Sequence, residues 1–278
     1  ERDDPLADAP FIVVADLGPG RRDSGDDRVR MAAALDLAEV EAVAGAEITT
    51  VREVAWDAGR HDLVERVERR LDAIVLATST GRATPGPATA VALVAPVRAG
   101  RVDLLGWSPA ARTLQRRAGF ARQALGADWA DVSDAALAAT VDEWLLPRLG
   151  RATGRRDLGR IDAAEVIRAL LGHRAVSKLD TVAPASFSTP TGRPVPIDYA
   201  GDHPTASVRV QHLFGLRTHP TVAHGRVPVV LHLLSPAGRD VQVTADLPGF
   251  WAGSWAQVRK ELAGRYPTHD WPVDPALR

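Results

Sequence analysis

Four groups of residues could do chemistry, and each of them lacks a necessary partner or spacing. Gly81-Arg-Ala-Thr-Pro-Gly86 has the glycine spacing of a phosphate-cradling loop, but Pro87-Ala88 follows where Lys and Ser/Thr are required. Without them the loop has neither the phosphate-binding charge nor a magnesium ligand, so it reads as a linker. Asp142-Glu143 is followed by Trp144-Leu145 and reads as a solvated helix face, not a DExH motif. Ala252-Gly-Ser-Trp-Ala256 puts a serine after glycine without both flanking glycines of a nucleophile elbow or a preceding strand. No catalytic residue is therefore assigned. His203, His212, His219, His224 and His232 lie near Asp198, Asp202 and Asp240 in sequence, yet none has a recognised zinc-ligand spacing. They read as surface and strand-face histidines, and no metal site is expected.

A fifth group is basic. Arg112, Arg116 and Arg117 recur at helical spacing, with Arg122 near the same face. Arg148, Arg151, Arg155, Arg156 and Arg160 follow in a glycine-containing stretch opposed only by Asp157. Such residues could line a phosphate-contacting surface, or could form a solvated face with local ion pairs. Trp251, Trp255, Tyr266 and Trp271 form the densest aromatic cluster. Trp251 and Trp255 sit four apart on one helical face, which favours core packing, whereas Trp271 in the tail could stack on a base. The candidate nucleic-acid contacts are Arg112, Arg116, Arg155, Arg156, Arg259, Lys260 and Trp271.

Composition limits what these groups can do. The 278 residues suffice for two or three packed domains, and 45% apolar with 25% charged residues is ordinary globular usage. The absence of cysteine excludes disulfides, thiolate metal sites and cysteine nucleophiles. No run approaches the roughly 20 apolar residues of a membrane span, and the acidic opening Glu1–Pro10 does not read as a signal peptide, so a cytoplasmic protein is expected. Lys178 and Lys260 are the only lysines; the arginine excess is spread along the chain, as genome composition would make it. Charge is uneven. Residues 1–100 carry 18 acidic and 12 basic side chains, net −6, whereas 101–180 and 181–278 are net +3 and +2. Affinity for nucleic acid grows with the phosphates neutralised, so binding by this chain alone should be weak.

An α+β fold in three parts is expected to position these groups. Residues 1–84 read as an OB-like barrel of five strands and one short helix. The strands are Phe11–Ala15, stopped by Gly18-Pro19-Gly20, then Arg28–Ala32, Ile48–Trp56 and two further stretches to Ala77, with a helix over Leu37–Val43. Leu63–Arg70 fits a strand or a helix. Residues 85–180 read as helical after a Thr78–Pro87 linker. Ser108-Pro109 caps a helix to about Leu125, Ser133-Asp134 opens one through Leu146, and Asp162 opens one through Leu171, ended by Gly172 with a short continuation. Residues 181–278 read as β-rich, with strands at Pro194–Tyr199, Ser207–Leu213 and Val227–Leu234. A Ser235–Arg239 turn leads into Asp240–Thr244, and a helix over Gly249–Gly264 precedes an extended Pro-rich tail.

The segment from Phe250-Trp-Ala-Gly-Ser-Trp-Ala-Gln-Val-Arg-Lys-Glu-Leu to His269-Asp-Trp-Pro-Val-Asp-Pro275 resembles the closing signature of the HrpB family of bacterial DEAH-type ATP-dependent helicases. Phe187-Ser-Thr-Pro-Thr-Gly-Arg-Pro-Val-Pro-Ile-Asp-Tyr199, Pro228-Val-Val-Leu-His-Leu-Leu-Ser-Pro236 and Trp107-Ser-Pro-Ala-Ala-Arg112 are similar to other segments of that family. The resemblance implies a chain cut from a longer protein, whose two RecA-like motor domains would carry ATP and magnesium; no cofactor is expected here. It implies an accessory role: positioning single-stranded RNA or DNA beside the motor domains. Two alternatives stay open, a module recruiting the helicase to a protein partner and an independent hydrolase built on the histidines.

Overall fold

The computed structural model describes residues 6–19 and 27–277. These form two compact units, residues 6–19 and 27–93 with 150–154, and residues 94–149 with 155–277. In the first unit, β1 (Phe11–Gly18) pairs antiparallel with β2 (Arg28–Leu35), and Gly20 of the expected stop lies outside the described residues. Helix α1 (Leu37–Ala44) opens on a capping box: Asp36 accepts from the Glu39 amide and Glu39 from the Asp36 amide, both at 2.8 Å. Three strands, β3 (Ile48–Asp57), β4 (Asp62–Leu71) and β5 (Ile74–Gly81), then form an antiparallel meander.

The ambiguous segment at Leu63–Arg70 is a strand because β4 is paired on both sides, and cross-strand pairing overrides the helical spacing of Leu63, Val67 and Leu71. The elements thus come in the expected order, but the closed barrel is corrected. β1–β2 and β3–β4–β5 are separate sheets, with no ladder joining them among the described residues. A barrel needs every strand edge paired, which sequence periodicity does not specify. The expected linker is also shorter. β5 runs to Gly81, and α2 (Pro87–Arg98) begins at Pro87, apolar on all sides and so without the periodicity of a surface helix.

The second unit opens with helices whose starts follow their caps. Ser108 caps α3 (Pro109–Leu125), Ser133 caps α4 (Asp134–Ala139), and Asp162 caps α7 (Ala163–Val182), each through a side-chain oxygen accepting a backbone amide. Between them lie α5 (Val141–Trp144) and α6 (Arg155–Gly159). The helix expected to run from Ser133 through Leu146 is broken at Thr140, whose φ/ψ of −104°/15° is non-helical. Gly172 kinks α7 at φ 75°, a backbone glycine adopts freely, and the helix resumes beyond it.

The β region follows. β6 (Ser186–Ser188) pairs with β7 (Pro194–Pro196), and β9 (Thr221–Val222) with β10 (Val227–Pro228). The main sheet has the order β12 (Asp240–Thr244), β11 (Val230–Leu234), β8 (Thr205–Arg209); β11 is antiparallel to β12 through the expected turn and parallel to β8. The expected strand over Ser207–Leu213 thus ends at Arg209 and tightens into a 3₁₀ turn, Val210–Leu213. The last helix is two, α8 (Leu247–Ala252) and α9 (Trp255–Arg265).

One core joins α3 and α7 to the main sheet and the last two helices. Its aromatic centre is Trp255, 1% exposed, edge-on to Phe214, Phe250 and Trp251 and tilted against Trp271. Each of these indoles also donates to a carbonyl: Trp251 to Leu216, Trp255 to Pro272 and Trp271 to Tyr266. Trp255→Ala would leave a large cavity and an unpaired carbonyl. It should cost about 3–5 kcal/mol in urea unfolding followed by tryptophan fluorescence.

His219 locks two elements of the same unit. Its Nε2–H donates to the Val229 carbonyl at 2.8 Å, and its Nδ1 accepts from the Leu247 amide at 3.0 Å. The bond from Leu247 needs the neutral ring, whereas the bond to Val229 survives protonation, and burial holds the pKa below the ordinary histidine value despite the Val229 carbonyl and Asp246. A depressed folded pKa gives stability that is complete above the unfolded value of about 6.5 and is lost as pH falls through the folded value. Stability should therefore begin to drop as pH falls toward the unfolded value of about 6.5 and go on dropping until pH is below the depressed folded value. His219→Ala should lose roughly 1–3 kcal/mol at neutral pH and flatten that dependence, as read from urea midpoints at each pH.

Candidate nucleic-acid interface

The structure keeps the Gly81–Gly86 segment apart from phosphate chemistry. The Thr89 hydroxyl donates to the Thr84 carbonyl at 2.5 Å, and the Thr84 hydroxyl lies 3.5 Å from Glu65, closing the loop on itself. Asp142 pairs with Arg98 at 2.5 Å on an exposed face. Ser254 is exposed just before α9 and follows a helix, not a strand. Among the described residues, no three His, Asp or Glu side chains lie close enough to hold a metal ion, and no helix is long and apolar enough to cross a membrane.

The arginines of α3 divide into struts and a cavity-lining residue. Arg112 stacks on Trp107, its guanidinium 3.4 Å from the ring centroid, and reaches Asp134 and Gln115 at 2.8 Å each. Arg117 bridges to Asp180 and to the Ala183 carbonyl at the end of α7. Arg122 donates to the Trp129 carbonyl at 2.6 Å. These guanidiniums spend their donors on the fold. Arg116 is held only loosely, 3.7 Å from Asp198, and lines a cavity of about 330 Å³ with Gln115, Phe120, Gln123 and Tyr199.

Arg155 and Arg156 are exposed in α6, and Arg160 pairs with Asp157 at 3.1 Å. Arg259 donates to the Trp271 carbonyl at 2.8 Å and so pins the tail, while its neighbour Lys260 is exposed. Trp271 is 7% exposed between Phe214, Trp255 and His269, and in this packing offers no open face to a base. The seven candidates therefore do not converge on one site: Arg155, Arg156 and Lys260 face solvent, Arg116 lines a cavity, and Arg112, Arg259 and Trp271 hold the fold.

A different group converges that residue spacing did not single out. The 3₁₀ turn after β8 buries Val210 and Leu213 and leaves Gln211 and His212 half-exposed. With Arg209, Phe214, Pro236 and the tail residues His269 and Asp270, they line a cavity of about 270 Å³. His212 is held below the ordinary histidine pKa first by burial, then by the charges of Arg193 and Arg209. The Gln211 Oε1 is enclosed without a hydrogen-bond donor. Only the run of histidines hinted at this group, because the tail that completes it is some sixty residues away in sequence.

Residues 144–275 match the family model described as ATP-dependent helicase C-terminal. Over 177 residues the chain is 43% identical to the ATP-dependent RNA helicase HrpB of Escherichia coli (strain K12), a match covering 63% of this chain and 22% of that protein. The crystal structure of the E. coli DExH-box NTPase HrpB superposes on 99% of this chain with a TM-score of 0.68 at 33% identity. That of the Escherichia coli DEAH/RHA helicase HrpB superposes on 97% with a TM-score of 0.60 at 29% identity. This chain spans 34% of each solved chain, about a third of its length. The family model, the sequence relative and the solved structures agree that this chain is similar to the C-terminal region of HrpB helicases.

Proposed function

We propose that the chain is the accessory C-terminal part of an ATP-dependent RNA helicase and holds a single strand through phosphate contacts. ATP and magnesium would be bound by motor domains of the same parent protein, since the Lys-Ser/Thr loop that would hold them is missing from this sequence. The observation that carries this reading is the 43% identity to a protein named as an ATP-dependent RNA helicase. The exposed Arg155, Arg156 and Lys260 within the family-matched residues support it, because cations open to solvent can replace the counterions condensed on a strand. Stacking on Trp271 is not part of the proposal, given its burial; the contacts are to the backbone. A cytoplasmic location goes with this reading.

A second reading, recruitment of a protein partner, is favoured by the face of α3. There the cavity at Arg116 adjoins another of about 470 Å³ through shared Phe120 and Gln123. Asp131, Asp134 and Asp202 line the pair together with Val227, Pro228 and Val230, a chemistry that suits a peptide better than a phosphate backbone.

Fluorescence anisotropy of the intact chain with single-stranded RNA and DNA across a salt series separates the readings. The nucleic-acid reading expects micromolar binding that weakens with salt. The double charge reversal Arg155→Glu/Arg156→Glu should weaken it about tenfold or more and lower the salt slope by about two. No binding at low salt would transfer the assignment to the partner module.

A further inference from the structure

We propose that Arg193, Arg209 and His212 together bind a phosphodiester, one backbone phosphate of the single strand. The inference rests on the single-strand reading and adds to it a built site, separate from the solvent-facing Arg155, Arg156 and Lys260.

The three groups come from different elements, and each is rooted in a fixed stretch of backbone. Arg209 ends β8 and sits opposite Leu234 of β11 in the main sheet. His212 follows in the 3₁₀ turn, which is anchored by the fully buried Val210 and Leu213. Arg193 lies in the turn that joins β6 to β7. There the Thr189 amide donates to the Arg193 carbonyl and the Gly192 amide to the Thr189 carbonyl, both at 2.9 Å. The Arg193 amide donates to Thr189 Oγ1 at 3.1 Å, and Thr189 itself is buried. Cations held on such roots give up little freedom when a ligand arrives.

Their heads are gathered but not used by the fold. Arg209 and His212 line one cavity. Burial first, then the charges of Arg193 and Arg209, hold His212 below the ordinary histidine pKa, so both guanidiniums act on that ring. Among the described residues neither guanidinium has a hydrogen bond or ion pair, in contrast to Arg112, Arg117 and Arg122 of α3. Asp270, the acid of the same cavity, already has a partner of its own. Like charges collected without a counter-charge repel one another until an anion joins them. A phosphodiester suits the arrangement, because its two charged oxygens diverge and can take a fork from each arginine while the imidazole N–H donates to one of them. A carboxylate has two coplanar oxygens, which a single fork fills.

The cations of the other concavities are engaged or opposed. Arg116 faces Asp198 at 3.7 Å in a cavity that Asp131 and Asp134 also line. The cavity adjoining it is lined by one arginine, Arg226, and by Asp202. Arg217, in the cavity at Trp251, is tied to the Ala276 carbonyl.

The test has two arms on the intact chain. In the first, the His212 imidazole resonances are followed by NMR at constant ionic strength while the dinucleotide UpU, inorganic phosphate or acetate is added. UpU, which has a phosphodiester and no terminal phosphate, should shift them saturably, phosphate should do the same, and acetate should not. Arg193→Gln/Arg209→Gln should abolish the response with the melting temperature kept, and Arg193→Lys/Arg209→Lys should retain part of it. In the second arm, the double Gln variant should bind single-stranded RNA about tenfold more weakly by anisotropy, with the salt slope lowered by about 0.7, the share of one phosphate. No His212 shift with UpU would overturn the inference, even if the strand still bound through Arg155 and Arg156. Equal shifts with acetate would overturn it in favour of an acidic peptide. Shifts with phosphate while the double Gln variant binds the strand unchanged would overturn it in favour of a free anion. Shifts with UpU and no binding of any longer strand would uphold the phosphodiester site and overturn the single-strand reading instead.

Discussion

The packing of Trp255 is the constraint on which the second unit depends. Its ring is enclosed by Phe214, Phe250, Trp251 and Trp271, and its indole N–H holds the Pro272 carbonyl of the tail. That arrangement fixes two segments far apart in sequence. One is the turn ending in Phe214, which presents Gln211 and His212; the other is the tail, which presents His269 and Asp270. The polar cavity is thus a consequence of the aromatic core beneath it. Large rings with one polar handle suit this purpose, since they bury wide area and still direct a hydrogen bond at a chosen carbonyl. They also explain the break at Gly253-Ser254, which lets Trp251 and Trp255 reach Leu216 and Pro272 separately.

Arginine serves two purposes in this chain. Arg117, Arg122 and Arg259 each donate to a backbone carbonyl, at the end of α7, in the loop after α3 and in the tail respectively. Arg155, Arg156 and Arg209 instead stand at the surface of the same unit. A count of arginines therefore overstates the charge available to a polyanion, because struts cannot also neutralise phosphates without loosening the fold. The near-neutral balance of the chain and this division leave few cations available to a polyanion.

Local features were legible where local chemistry decides them. Ser108, Ser133 and Asp162 marked helix starts, Gly172 marked the kink, and Ser235–Arg239 marked the hairpin, because caps and turns are set by a few neighbouring residues. Closure of the first five strands was not legible, since edge pairing is a long-range property. Helix α2 was missed for want of an amphipathic period, and the split at Thr140 for want of any local breaker such as glycine or proline. Among site residues, exposure of Arg155 and Arg156 agrees with their reading as surface charge. Arg112 and Trp271 were indistinguishable in sequence from binding residues until Trp107 and Trp255 were seen to pack against them. The cavity at His212 required the tail to fold back, which no spacing encodes.

The most direct test of the central claim, that the second unit contacts a single strand, is photo-crosslinking of 4-thiouridine-substituted RNA to the intact chain, with adducts mapped by mass spectrometry. The account predicts adducts on peptides containing residues 155–160, 207–214 or 266–271. Adducts confined to residues 28–81, or none above the level of an unrelated protein of equal charge, would contradict it.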